Sequence, residues 1–200
     1  MPKPLTLKEQ IYNDLFSDII NGVYSADTIL TEKNLMEKYQ ISRAPIREAL
    51  QQLSKKRFII SLPRQGYKIL KPDKQTMIDI EHYRSVIEPA FLLRYSNNID
   101  EQCISSLRLL CQKYIACPDD DYITKWENNC GFHLKLFSMY GNDYACQELK
   151  NALYIQQIYF VQTKHYGSID LHLAVIDYLE KKDFAMAAKI LQADIEELIE

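Results

Sequence analysis

The stretch Ser42-Arg43-Ala44-Pro45-Ile46-Arg47-Glu48-Ala49-Leu50 constrains this chain more than any other. Ser42 is a good N-cap, because its hydroxyl can accept from an orphan N–H of a first helical turn. Pro45 falls in that turn, where its missing N–H costs little. Arg43 and Arg47 stand four residues apart and so share a helix face. Ile46, Ala49, Leu50 and Leu53 form an apolar stripe on another face. Such a helix can pack on a core while presenting two guanidinium forks. A major-groove reader needs this, since Arg bonds bidentately to the O6 and N7 of guanine. A pair of arginines alone is more often a solvated face, so the flanking sequence decides.

The flanks supply the missing context. Leu7, Ile11, Leu15, Ile19 and Ile20 recur at helical steps over residues 5–21, and Asn21-Gly22 ends the run. Thr31 opens a short helix with Leu35, Met36 and Tyr39, and Gln40-Ile41 turns into Ser42. That order is a helix-turn-helix. Phe58-Ile59-Ile60, Pro63-Arg64-Gln65-Gly66 and Tyr67-Lys68-Ile69-Leu70 then read as a β-hairpin with a basic tip, Gly66 taking the positive-φ position. A hairpin directly after a recognition helix is a wing.

Residues 5–70 resemble the DNA-binding domain of the GntR family of bacterial transcription regulators. The family's string Leu-Ser-Glu-x-x-Leu-Ala-Glu, then Val-Ser-Arg-Thr-Pro-Val-Arg-Glu-Ala-Leu, is matched by Leu30-Thr31-Glu32-Lys33-Asn34-Leu35-Met36-Glu37 and by Ile41 to Leu50. Ala44 replaces the usual Thr and removes a hydroxyl that could reach DNA. Arg57 stands where the family often has Gly. The resemblance implies that Ser42, Arg43, Ala44 and Arg47 face the DNA, with Lys33, Arg64, Gln65 and Gly66 at the backbone and the wing.

Charge follows the same division. Residues 1–72 carry 12 Lys+Arg against 7 Asp+Glu, and the remainder 12 against 20, although the whole chain is at −3. A basic N-terminal part is the footprint of nucleic-acid binding. No apolar run approaches the ~18 residues of a membrane span. Met1-Pro2-Lys3-Pro4 lacks the apolar core of a signal peptide. Five cysteines without a C-x-x-C pair read as reduced thiols of a cytoplasmic protein.

Lys71-Pro72-Asp73 is the expected linker, giving a winged helix-turn-helix domain over 1–71 and an all-α domain over 72–200. Helical periodicity predicts helices near 73–97, 100–116, 119–140, 142–165, 168–181 and 183–199, with Asp100, Ser168 and Asp183 as N-caps. Asn129 and His133 share a helix face, His172 lies in the next-to-last helix, and Asp194 in the last. If these groups converge they make a workable Zn²⁺, Ni²⁺ or Mn²⁺ site. Spacing alone does not show convergence, and a histidine in a helical domain is more often an ordinary core or surface residue.

The second domain is similar to the FCD ligand-binding domain of FadR- and VanR-like regulators. Cys130-Gly131-Phe132-His133, Ser168-Ile169-Asp170-Leu171-His172 and Lys182-Asp183-Phe184-Ala185-Met186-Ala187 carry that likeness. In metal-binding members an Asp and three His hold the ion, at the places of Asn129, His133, His172 and Asp194 here. Two of the four are therefore altered. The likeness implies one divalent transition metal per chain; a metal-free pocket bonding an organic ligand through Asn129, His133 and His172 is the alternative. Arg84 and Glu88 match the family's Arg-x-x-x-Glu. Arg84 is a candidate clamp for an effector carboxylate, the rival reading being an intrahelical Arg84–Glu88 pair at i, i+4 worth only ~0.3–0.5 kcal/mol.

Together these readings describe a mostly α, homodimeric repressor that binds a double-stranded inverted-repeat operator, responds to a small carboxylate effector, and meets no membrane. Two rivals stand beside it. One is a helical metal-dependent hydrolase with its metal on His133, His172 and Asp194; it lacks an evident general base, since Glu127 precedes the site but no H-E-x-x-H occurs. The other is a structural DNA-binding dimer with a vestigial pocket.

Overall fold

The computed structural model describes residues 5–24, 28–55 and 58–197. Its contacts divide it into two compact units, Met1–Lys71 and Pro72–Glu200. Met1–Pro4 and Arg57, each given a reading above, lie outside the described residues, as does the end of the last expected helix.

The first unit begins with α1, Leu7–Ile20. Thr6 and Glu9 form a reciprocal capping box there, each side chain bonded to the other's backbone N–H. β1 (Ile29–Leu30), α2 (Glu32–Tyr39) and α3 (Arg43–Lys55) follow. Thr31 caps α2 by accepting from the Asn34 amide. α1 and α3 pack together through Ile11, Leu15 and Ile19 on one side and Ile46, Ala49, Leu50 and Leu53 on the other, all buried. Burying each such Leu or Ile stabilises by about 1.5–3 kcal/mol.

β2 (Ile59–Leu62) and β3 (Gly66–Ile69) are the expected hairpin, with Leu62 opposite Gly66. Sequence periodicity missed β1, which pairs antiparallel with β3 and makes the order β1-β3-β2. Two residues are too few to show a period. The tip also differs in detail, because Arg64 as well as Gly66 adopts positive φ, at 64° and 130°.

The second unit is helical: α4 (Lys74–Tyr95), a 3₁₀ turn at Ser96–Asn98, α5 (Glu101–Ala116), α6 (Tyr122–Ser138), α7 (Asp143–Thr163), α8 (Asp170–Glu180) and α9 (Phe184–Glu196). α4 and α8 both pack on α9, α5 on α6 and α8, and α6 on α7. Asp73, Asp100, Asp121, Asn142 and Asp183 each cap a helix by accepting an amide N–H three residues on. Ser168 does not cap α8. Its hydroxyl accepts from Asp170 N, two residues on, and the helix starts after Ile169. Likewise α6 starts at Tyr122 rather than 119, because Pro118 and Asp121 close a turn first. Gly131 lets α5 come close, since a Cβ there would lie 3.1 Å from Leu110. Trp126 stacks on Phe160 at 4.7 Å between ring centres, and its indole N–H donates to the His165 carbonyl.

A Cβ on Gly66 would run into the Leu30 carbonyl in backbone that L-residues avoid. Gly66→Ala is therefore expected to destabilise the first unit by about 1–3 kcal/mol in urea unfolding followed by circular dichroism. An unchanged midpoint would show that the wing does not need this glycine.

Candidate functional site

The first unit presents a basic surface made by α2, α3 and the wing. α2 ends at Gln40, whose φ of 55° reverses the chain and whose side-chain amide closes the last turn by donating to the Glu37 carbonyl at 2.7 Å. Burial of Ile46 and Leu50 rolls the opposite face of α3 outward. Ser42, Arg43, Ala44 and Arg47 are exposed on it. Arg43 is held by an ion pair from its Nε to Glu32. Arg47 has no charged partner among the described residues. Lys33 on α2, Arg64 and Gln65 at the hairpin tip and Lys68 on β3 are exposed too, while Gly66 is half-buried against β1. Reading the sequence overlooked Glu32, because nothing local marks a bond spanning 11 residues.

The second unit brings Asn129 and His133 of α6, His172 of α8 and Asp194 of α9 into its buried interior. Nε2 of His133 lies 3.3 Å from Nε2 of His172, and Oδ2 of Asp194 lies 3.3 Å and 3.2 Å from the two. The three atoms form a nearly equilateral triangle. A tetrahedral ion with bonds of about 2.0–2.1 Å separates its ligands by about 3.3–3.4 Å, so the triangle has the size of one tetrahedral face. Asp194 Oδ2 is close to both imidazoles but poorly aligned for a hydrogen bond to either. Asn129 Oδ1, on the same face as His133, is buried with no hydrogen-bond partner among the described residues.

Glu88 of α4 orients this triangle. Its Oε2 is 2.8 Å from Nδ1 of His133. With the Nδ1 proton given to Glu88, the Nε2 lone pair points at the triangle, the usual support for a metal-ligating histidine. Arg84 Nε donates to Glu88 Oε1 at 2.6 Å, and Arg84 Nη1 to Gln156 Oε1 at 2.7 Å. Arg84 is wholly buried, so the intrahelical pair exists without the surface setting in which such pairs are weak. Arg84 Nη2 and Gln156 Nε2 remain donors without an acceptor among the described residues. Phe132 stacks on the His172 ring, centres 4.0 Å apart. Glu127 is exposed, His82 and His165 are exposed, and Tyr83 lies on the surface of α4. Five free thiols are present; burial pushes Cys103 and Cys111 up to about 11 and Cys130 to about 12.

The charges explain the proton affinities. Burial would raise the Glu88 carboxyl, but Arg84 and His133 outweigh it and hold it low. Burial likewise opposes ionisation of Asp194, and the two imidazoles overcome it to keep the carboxyl far below its usual range. His133 loses affinity for a proton through burial and regains more from Glu88.

Comparison with known proteins points one way. Residues 7–69 match the family of bacterial regulatory proteins named gntR. The transcriptional repressor RspR of Escherichia coli K12 is 24% identical over 200 residues, covering 97% of this chain and 88% of that protein. The repressor GlaR of the same organism is 24% identical over 141 residues, 68% of this chain and 64% of its own. The solved structure of E. coli McbR/YncC shares the fold at a TM-score of 0.74, with 19% identity and 96% and 95% coverage. RspR and GlaR are named as transcriptional repressors, which favours regulation over the hydrolase reading. Among the described residues no helix is long and apolar enough to cross a membrane.

Glu88 and Asp194 ionise more readily folded than unfolded, so their stabilising contribution is present above the ordinary carboxyl range and lost as pH falls. His133 binds its proton more tightly folded, so its contribution is present below its ordinary value and lost as pH rises. In chelator-treated protein the melting temperature is expected to peak between about pH 5 and 6.5 and to decline on both sides. A flat profile over pH 4–8 would dissociate these groups from stability.

Proposed function

We propose that this chain, a DNA-binding transcription regulator of the GntR family, is a dimeric repressor whose helical domain binds one divalent metal ion and a small organic acid. The observation that carries the control half of this reading is the buried triangle of His133, His172 and Asp194 with Glu88 behind it. Asn129 supplies a further oxygen. Two imidazoles, a carboxylate and an amide oxygen are a donor set suited to Zn²⁺, Ni²⁺ or Mn²⁺. When bound, such an ion attracts a carboxylate oxygen of the effector. The chain's own unsatisfied donors, Arg84 Nη2 and Gln156 Nε2, can each donate to a carboxylate oxygen.

On the DNA side, Arg47 and Arg43 read bases in the major groove. Lys33, Arg64, Gln65 and Lys68 contact backbone or wing-facing grooves. Ala44, between the arginines, offers only a methyl group. Pairing of two chains lets two such helices meet the halves of an inverted repeat. Tyr83, Val86, Ala90 and Leu93 of α4, exposed at alternating three- and four-residue steps, support a second copy as the partner of that helix. The effector favours one arrangement of the dimer by the difference in its affinity for the two. The reading places the protein in the cytoplasm, beside its DNA.

Arg47→Ala should cost ~1–3 kcal/mol of specific DNA binding and relax base preference at one position, measured by gel-shift titration at fixed salt. Equal binding by the variant removes Arg47 from the interface. Metal analysis should find about one equivalent per chain. At 100 times its Kd, Zn²⁺ or Ni²⁺ should stabilise the protein by about 2.7 kcal/mol, a gain lost in His172→Ala. Less than a few tenths of an equivalent per chain, unrestored by added ion, would leave the metal-free pocket.

A further inference from the structure

We propose that Glu32 is a specificity-determining positioning residue of the DNA-reading surface. It holds Arg43 by Nε, so that the two Nη groups face outward as a fork for one guanine. The same carboxylate keeps Arg43 from settling on phosphates.

The geometry divides the labour between the two partners. Glu32 is the first residue of α2, behind the Thr31 cap, and its side chain is 21% exposed. Arg43 is the first residue of α3, and its side chain is 74% exposed. The carboxylate is therefore the anchored member and the guanidinium the presented one. A carboxylate in the first turn also suits the positive end of the α2 dipole. Once Nε is engaged, the outer edge of the guanidinium offers two parallel N–H groups, the pair that matches guanine O6 and N7.

An untethered arginine at this place would have two kinds of target. Phosphates are more numerous than guanines and carry no sequence information. They attract unpaired positive charge wherever the protein lands, and this attraction makes up most non-specific affinity. Pairing with Glu32 removes most of that net charge while leaving the hydrogen-bond fork intact. Arg47, without a charged partner among the described residues, keeps both functions. Glu32 thus lowers affinity for arbitrary duplex and raises discrimination, although it need not touch a base itself.

The test is selection from duplexes randomised over about 20 base pairs, enough for two half-sites one helical turn apart. It uses the full chain as wild type, Glu32→Ala, Glu32→Gln and Arg43→Ala. The selected wild-type duplex and a scrambled one are then titrated over a range of salt. Wild type should enrich a guanine in each half-site that Arg43→Ala does not. Glu32→Ala should lose preference at that position and bind the scrambled duplex roughly tenfold more tightly, with a salt slope steeper by about one per half-site. Glu32→Gln, which keeps an acceptor without charge, should keep the guanine while gaining affinity for the scrambled duplex. Being isosteric, it carries the test if the alanine variant melts lower. The proposal is overturned if Glu32→Ala selects the same guanine with an unchanged affinity ratio, or if Arg43→Ala still selects it. Weaker binding of Glu32→Ala to the scrambled duplex overturns it as well, since that marks a merely structural role.

Discussion

The Glu88 carboxylate holds the chemistry of the helical unit together. One oxygen accepts from Arg84 on its own helix and the other faces His133 on α6. Burying a carboxylate without such partners costs several kcal/mol, and burying Arg84 alone would cost as much. Together they become tolerable, and Gln156 of α7 adds a further bond to the guanidinium. Three helices, α4, α6 and α7, are thereby tied by polar contacts within the interior. The same bonds fix which nitrogen of His133 is bare, and so what the triangle can do.

The first unit solves a different problem. Its working groups must be exposed yet steady. Steadiness comes from caps and turns more than from burial: Thr6 with Glu9, Thr31 on Asn34, the left-handed Gln40, and Gly66 under the Leu30 carbonyl. An apolar stripe on α3 settles which way Arg43 and Arg47 face. Where the helical unit relies on paired buried charge, this one relies on local backbone geometry with charge left on the outside.

That contrast governs what could be read from the amino-acid order. Local devices were legible: the α1 and α3 periodicity, the caps at Thr31, Asp100 and Asp183, and the hairpin. Asn129, His133, His172 and Asp194 could be singled out as residue types, but their convergence came only with the packing of α6, α8 and α9. Helix spacing places Arg84 and Glu88 together and leaves open whether Arg84 clamps an effector or pairs with Glu88. Nothing in that spacing says that Gln156, 72 residues away, completes the group. β1 escaped because two residues have no period, and Glu32 because its partner lies on another helix. Ser168 was a plausible cap by type, but its hydroxyl had a nearer amide to bond.

Trp126 is the chain's one tryptophan, and it sits a single turn before Asn129 on the helix that carries His133. Its ring is pressed flat on Phe160, and its N–H is tied to the loop leading toward His172. The molecule therefore carries its single indole in the helical unit and none in the unit that bears Arg43 and Arg47. Emission from that indole, excited at the long-wavelength edge where tyrosine and duplex scarcely absorb, reports on the helical unit alone, so events at α6 can be followed optically without a label while duplex is present.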